Sequence, residues 1–211
     1  MSAAAPASQA WRPVSPEDVA RARWYAMLAQ IFRAPPSTDW LRETGAGAAA
    51  PVDADTPLGR AWNGFALACA NADADAVRQE YEDAFIGVGK ADVFLYGSWY
   101  LSGFLHERPL VDLRAHLATL GVARRSDVAE TEDHIAALCE TMAWLIVAAP
   151  EPLRTLQTQR VFFQRFLSPW YEALVEAIEH CGSTDFYKHA ARLLGEFLAI
   201  ERQAFDFDSL D

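Results

Sequence analysis

Apolar residues recur every three or four positions along most of this chain, which is the period of an amphipathic α-helix. The first run includes Leu28 and Ile31 and follows Ser15-Pro16, a capping residue and a proline suited to a first helical turn. Further runs begin after the capping residues Thr56 and Asp73. No segment sustains the alternation typical of a strand. The pattern predicts an all-α bundle of about nine to eleven helices.

A polar segment divides the helical runs into two sets. Residues 123–130 contain two adjacent arginines and no apolar period, which indicates a hinge between two closely associated halves. The predicted organisation is a disordered lead-in over residues 1–14, an N-terminal helical half over 15–122 and a C-terminal helical half over 131–211. Residues 1–14 have no basic region followed by an apolar core, so they do not show the pattern of a secretion signal.

One long stretch, from Gly87 to Gly103, has no clear helical period and is rich in aromatic residues. Tyr96 and Tyr100 lie within it. An aromatic loop of this kind either completes a core or lines a groove for a partner.

The charged cluster Glu130-Thr131-Glu132-Asp133-His134 directly precedes an apolar stripe that runs from Ile135 to Ile146. We expect the cluster to form the first turn of that helix. At about 100° per residue, Glu130 and His134 would flank the stripe one turn apart, while Asp133 would point away from it. Asp133 should then be exposed or cap backbone amides. The cluster is either a structural helix start or a binding site.

Composition narrows the class of protein. Acidic residues outnumber basic ones 29 to 18, a net charge of −11, which argues against a nucleic-acid partner. The acidity serves solubility alone or steers a cationic partner. The three cysteines are scattered, which suits free thiols in a reducing compartment such as the cytoplasm. No apolar stretch reaches the roughly 18 residues of a membrane span, so stable membrane insertion is not expected.

Catalytic motifs are missing from the sequence. It contains no H-E-x-x-H, no C-x-x-C and no phosphate-binding loop. Cys139 lies five residues from His134, which on a helix separates the two side chains by about 140° and prevents their acting as nucleophile and base. We therefore expect no catalytic residue, no metal site, no cofactor and no enzymatic turnover.

Four ordered blocks resemble the TorD/DmsD family, the cytoplasmic chaperones that mature molybdenum-containing oxidoreductases. Residues 130–134 are similar to the family pattern E-P-x-D-H, and residues 96–101 are similar to its aromatic element. Residues 81–87 resemble its aromatic helix end before a glycine turn, and residues 166–170 resemble H-L-x-P-W.

The chain departs from the family pattern at three positions. Thr131 replaces the usual proline, Leu95 stands where proline is common, and Phe166 stands where histidine is frequent. The first change could loosen the helix start, and none of the three removes the charged pair Asp133-His134.

The resemblance implies a chaperone, monomeric or a domain-swapped homodimer, that binds the twin-arginine signal peptide of an apo-molybdoenzyme, assists cofactor insertion and prevents premature export. It implies a peptide-binding groove made of eight residues: Tyr81, Phe85, Tyr96, Ser98, Tyr100, Glu130, Asp133 and His134. A twin-arginine peptide needs carboxylates beside an apolar groove, and this set supplies both. The alternatives are a maturation factor that binds a cofactor or nucleotide and an acidic helical adaptor unrelated to export.

Overall fold

A computed structural model of the protein describes residues 14–47, 54–87 and 91–207. Within those ranges the backbone forms ten α-helices and no strand, as the sequence predicts. The helices are α1 (Pro16–Arg33), α2 (Thr38–Ala46), α3 (Pro57–Asn71), α4 (Ala74–Tyr81), α5 (Gly97–Ser102), α6 (Arg108–Thr119), α7 (Ile135–Val147), α8 (Leu156–Phe166), α9 (Tyr171–His180) and α10 (Phe186–Phe207). The predicted lead-in lies outside the described residues except for Val14.

Three predicted helix starts are confirmed by their caps. The Ser15 hydroxyl accepts a hydrogen bond from the amide of Asp18, whose carboxylate accepts one from the amide of Ser15 in return. The hydroxyl of Thr56 accepts from the amide of Gly59 at 3.0 Å, and Asp73 caps α4 in the same manner. Such caps satisfy amide groups that a helix cannot pair internally, and each is worth about 1 kcal/mol.

Other element boundaries differ from the predicted ones. The aromatic segment contains the short helix α5. The sequence predicts a helix from about Pro152 to Leu167, whereas α8 begins at Leu156 after its cap Thr155. Helix α4 continues into a π-helical turn, Glu82–Ile86, which ends at Gly87 with a φ of 61°. A φ in this left-handed region favours glycine, so the predicted break at Gly87 is confirmed.

The core joins helices from both ends of the chain. Helix α1 packs along α7, and α3 packs against α10, so each of the two predicted halves lies against the other. The buried faces of α1 and α7 carry apolar residues that include Tyr25, Leu28, Leu138 and Met142. The predicted boundaries of the halves, with a hinge at residues 123–130, stay a prediction. The α1–α7 contact matters for the site because it fixes the last turn of α1 beside the first turns of α7.

The three cysteines Cys69, Cys139 and Cys181 are buried free thiols, as expected. Burial raises the pKa of the Cys69 thiol to about 12, which keeps the thiol protonated and unreactive. In the described part of the chain, no helix combines the length and apolar character that crossing a membrane requires.

Candidate functional site

Two segments that are distant in sequence meet at the start of α7. The amide of Gly97 donates to the carbonyl of Asp133 at 2.9 Å, and the amide of Ile135 donates to the carbonyl of Leu95 at 2.8 Å. These bonds form an isolated antiparallel bridge between Tyr96 and His134. The bridge brings the predicted site residues Tyr96, Ser98, Asp133 and His134 together, although Ser98 lies 35 positions before Asp133.

Asp133 is almost fully buried, with an exposed fraction of 4%. Its carboxylate accepts hydrogen bonds from the amide of Ser98 at 2.9 Å and from the hydroxyl of Thr131 at 2.6 Å. The expectation of an exposed side chain is wrong, and the capping alternative is confirmed in an altered form. Asp133 caps α5 from across the bridge, because the turn before α7 directs its side chain inward and not along its own helix.

His134 is the N-terminal cap of α7, which begins at Ile135. The expectation that residues 130–134 form the first helical turn is therefore wrong: they form a turn before it, since the extended backbone of His134 ends the bridge. The His134 Nδ1 atom accepts from the amide of Ala136 at 3.1 Å, which leaves the proton on Nε2. Within the described ranges, this Nε2–H group has no hydrogen-bond acceptor.

Burial lowers the pKa of His134 to about 4. The positive charge of Arg33 also lowers it, whereas the negative charges of Glu130 and Asp133 oppose the shift. The imidazole is therefore neutral at physiological pH. A neutral ring with a protonated Nε2 can donate one hydrogen bond to an incoming carbonyl or carboxylate oxygen.

The two glutamates of the cluster differ in their partners. Glu132 forms ion pairs with Arg114 at 2.9 Å and with Arg124 at 3.8 Å. Glu130 is half-buried, and in the part of the chain that the structure describes it has no ion pair and no hydrogen bond. Glu130 is thus the carboxylate of this cluster that is available to an incoming cation.

A cavity of about 370 Å³ opens beside this cluster, between the last turn of α1, the end of α6, residues 122–132 and one face of α7. Leu117, Val128 and Trp144 contribute apolar walls. Glu130 and His134 line the same cavity, so it combines apolar surface, a free carboxylate and an unpaired N–H donor.

Further charged residues at the cavity were not predicted from the sequence. Arg33 at the end of α1 forms an ion pair with Glu140 on α7, and both side chains line the cavity with Arg124. Arg124 lies in the polar segment that the sequence predicts as a hinge, and this position is only a weak indication that Arg124 belongs to the site. Nothing local indicates Arg33 or Glu140, because their proximity depends on the packing of α1 along α7.

Tyr81 and Phe85 lie in an aromatic cluster of the core and do not line the cavity. Their rings are 5.2 Å apart, and both contact Tyr187 of α10. The Tyr81 hydroxyl donates to the carbonyl groups of Phe32 and Arg33 at the end of α1. Burial raises the pKa of Tyr81 to about 12, and the charge of Glu130 adds to this shift. Tyr81 therefore lies within electrostatic range of the candidate site.

The remaining predicted residues, Tyr96, Ser98 and Tyr100, lie in the segment that forms the bridge with His134. The Tyr100 hydroxyl donates to the carbonyl of Phe94 at 2.9 Å, and its ring stacks on Trp170. Tyr96 packs edge-on against the His134 ring, with 5.0 Å between centroids. Ser98 is buried and its hydroxyl has no hydrogen-bond partner in the described ranges. A contact between any of the eight predicted residues and a peptide stays a prediction.

Within the described residues, no group of three or more histidine, cysteine, aspartate or glutamate side chains is placed to hold a metal ion.

The chain is similar in sequence to one protein family and to several known proteins. A family model described as the nitrate reductase delta subunit matches residues 52–176. A chaperone protein TorD from Photobacterium profundum is 27% identical over 125 residues, which cover 56% of this chain and 58% of that protein. The corresponding protein of Aliivibrio fischeri is 28% identical over 130 residues, which cover 58% of this chain and 60% of that protein. The match therefore spans less than two thirds of these relatives.

A solved structure has the same fold. The crystal structure of a candidate redox enzyme maturation protein from Archaeoglobus fulgidus superposes with a TM-score of 0.57 at 17% sequence identity. The superposition covers 92% of this chain and 99% of the other. This match confirms the predicted all-α architecture.

Proposed function

Because this chain belongs to the nitrate reductase delta subunit family and is similar in sequence to TorD chaperones, we propose that it is a chaperone for the apo-form of a molybdenum-cofactor oxidoreductase. It acts without catalytic turnover, in the cytoplasm, and binds the twin-arginine signal peptide of its client before export. The family membership supports the chaperone class. The recognition of the signal peptide rests on the cavity beside α7.

The unpaired carboxylate of Glu130 at this cavity is the main support for recognition of an arginine-bearing peptide. Of the three acids in residues 130–133, Asp133 holds the amide of Ser98, and Glu132 is paired with two arginines. Glu130 is left to accept a guanidinium group. A charge-assisted hydrogen bond in a partly buried site is stronger than one between neutral groups, so one such pair can anchor a peptide.

The rest of the cavity fits the remainder of such a peptide. A twin-arginine signal continues into an apolar segment, and the walls contributed by Leu117, Val128 and Trp144 offer a matching surface. The His134 Nε2–H group is available to a peptide carbonyl. The net charge of −11 favours the approach of an arginine-bearing peptide, an effect that salt should weaken.

The proposal is tested by calorimetry on the whole protein with a twin-arginine signal peptide, the same peptide carrying two lysines, and a guanine nucleotide. We expect binding of the arginine peptide and weaker binding of the lysine peptide, because an ammonium cannot form the two parallel hydrogen bonds of a guanidinium. Equal affinity for both peptides, or binding of the nucleotide alone, would contradict the proposal.

The role of Glu130 is tested by substitution. Glu130→Gln should weaken binding of the arginine peptide about tenfold or more, as expected for a lost charged hydrogen bond. The control is Glu43→Gln, which removes the same charge from an exposed position on α2, outside the cavity. If both variants weaken binding equally, the effect is one of overall charge and Glu130 is not the anchor.

A further inference from the structure

The cavity already contains guanidinium groups of the protein itself. The segment that closes it carries Arg124-Arg125, the same dipeptide chemistry that a twin-arginine client would present. Arg124 pairs with Glu132, a carboxylate that lines the cavity. Arg125 pairs with Asp127. Asp127 is exposed and does not line the cavity.

The two oxygens of Glu132 are held unequally. Its Oε2 atom accepts a hydrogen bond from Arg114 Nε at 2.9 Å, whereas its Oε1 atom is 3.8 Å from Arg124 Nε. The shorter contact is a hydrogen bond, and the longer one is an ion pair without one. Arg124 also donates to the carbonyl of Val128, which keeps its guanidinium over the cavity. The Oε1 atom is therefore the exchangeable acceptor.

We propose that Arg124 is a placeholder for one guanidinium of the client, held on Glu132 until a twin-arginine peptide displaces it. The inference rests on the proposed function. The first client arginine binds the unpaired Glu130. The second replaces Arg124 at the Glu132 Oε1 atom, while Arg114 keeps its hydrogen bond to Oε2.

This arrangement explains why a pair of arginines is recognised. A peptide with one arginine satisfies Glu130 and leaves the contact between Arg124 and Glu132 intact. A peptide with two replaces a long ion pair by a hydrogen-bonded one, so the second arginine adds affinity beyond the first. In the free protein Arg124 keeps the partly buried Glu132 carboxylate paired at both oxygens, which avoids the cost of an unpaired charge.

The test compares Arg124→Ala with Arg125→Ala in the whole protein, by calorimetry with a twin-arginine peptide. Both variants lose one positive charge at neighbouring positions, but Arg125→Ala frees no carboxylate of the cavity. We expect Arg124→Ala to tighten binding about two- to fivefold relative to Arg125→Ala, the range of a surface ion pair. Arg124→Gln should behave as Arg124→Ala does, and unfolding midpoints show whether each variant is folded.

The same comparison repeated with Glu132→Gln isolates the exchange. In that background Arg124→Ala should give no gain, because the carboxylate that Arg124 occupies has been removed. Arg124→Ala and Arg125→Ala with equal affinities, or weaker binding by Arg124→Ala, would overturn the placeholder role while wild-type binding still supports the proposed function. If the wild-type protein does not bind the arginine peptide, the proposed function and the placeholder role both fail.

Discussion

At the residue scale, the conspicuous acid Asp133 and its neighbour His134 hold backbone groups, whereas the less conspicuous Glu130 is free. Asp133 accepts from the amide of Ser98 and also from the side-chain hydroxyl of Thr131, and His134 accepts from the amide of Ala136. Both residues therefore support the site by joining α5 to α7. Their substitution should affect folding as well as binding, while substitution of Glu130 should affect binding alone.

Asp133→Ala should lower the free energy of unfolding by about 1–3 kcal/mol, because it leaves the buried amide of Ser98 and the hydroxyl of Thr131 without an acceptor. Urea unfolding measures this loss. Glu130→Ala is the matched control: it removes a carboxylate that holds no hydrogen bond, and it should change stability by less than about 0.5 kcal/mol. Equal losses in the two variants would show that Asp133 does not cap α5.

The buried neutral His134 makes stability depend on pH. Its pKa is about 4 in the folded protein and higher in the unfolded chain, so the unfolded state binds more protons between these values. The contribution is fully present above about pH 6.5 and is lost as pH falls toward 4, up to about 3 kcal/mol. His134→Asn, which can still cap α7, should unfold with a weaker pH dependence between pH 4 and 7. Parallel stability curves for the two proteins would contradict this.

The candidate site was predictable from sequence only in part. The position of Glu130 and His134 beside an apolar helix is visible in their order along the chain. The capping of α5 by Asp133 and the ion pair between Arg33 and Glu140 are not, because each joins residues that only the folded backbone brings together.

At the element scale, helix α10 depends on a side chain from another helix. Glu80 of α4 accepts hydrogen bonds from the amides of Asp185, Phe186 and Tyr187 at 2.7–3.0 Å. Phe186 and Tyr187 lie in the first turn of α10 and Asp185 directly precedes it, so these amides have no acceptor within the helix; the carboxylate also complements the positive end of the helix dipole.

Glu80→Ala should therefore destabilise the protein by about 1–2 kcal/mol while leaving peptide affinity unchanged, because α10 does not line the cavity. Thermal unfolding and calorimetry measure the two quantities. Glu82→Ala, at an exposed position two residues further on, should change neither. A loss of peptide affinity in folded Glu80→Ala would show that the site extends to α10.

The helix starts that the sequence predicts correctly are those whose capping residue directly precedes the helix. Ser15, Thr56 and Asp73 cap the helix that directly follows them, and all three starts were predictable from the sequence. Helix α5 was not predictable, because the amide of Ser98 in its first turn is capped by Asp133 from a distant segment and because its aromatic residues show no helical period. Pro152 resembles a first-turn proline and so predicts too early a start for α8, whose actual cap is Thr155.

At the scale of the whole molecule, a buried ion pair joins α1 to α10, near the two ends of the described chain. Arg21 donates to both oxygens of Glu201, at 2.8 and 2.7 Å, and the Tyr25 hydroxyl donates to the same carboxylate. Glu201 has an exposed fraction of 2%. Removing Glu201 leaves the partly exposed Arg21 guanidinium an ion pair with Asp18 at 3.4 Å, whereas removing Arg21 leaves the Glu201 carboxylate buried without a compensating charge.

Arg21→Leu should accordingly lower the free energy of unfolding by about 3–5 kcal/mol, and adding Glu201→Leu should recover a large part of the loss. Chemical unfolding of the single and double variants measures both effects. A double variant no more stable than Arg21→Leu alone would contradict the burial argument. Peptide affinity should be unchanged in the folded double variant, because neither residue lines the cavity.

The proposed site for a twin-arginine peptide is the cavity between α1, residues 122–132 and α7. The most direct test is photo-crosslinking with a signal peptide that carries a photoreactive phenylalanine analogue immediately after its arginine pair, followed by mapping of the linked residues. We expect crosslinks to residues that line the cavity, among them Val128 and Trp144, and we expect these crosslinks to be lost in Glu130→Gln. Crosslinks confined to another surface, such as the exposed Leu101 in the last turn of α5 and Phe104 just after that helix, would contradict this placement.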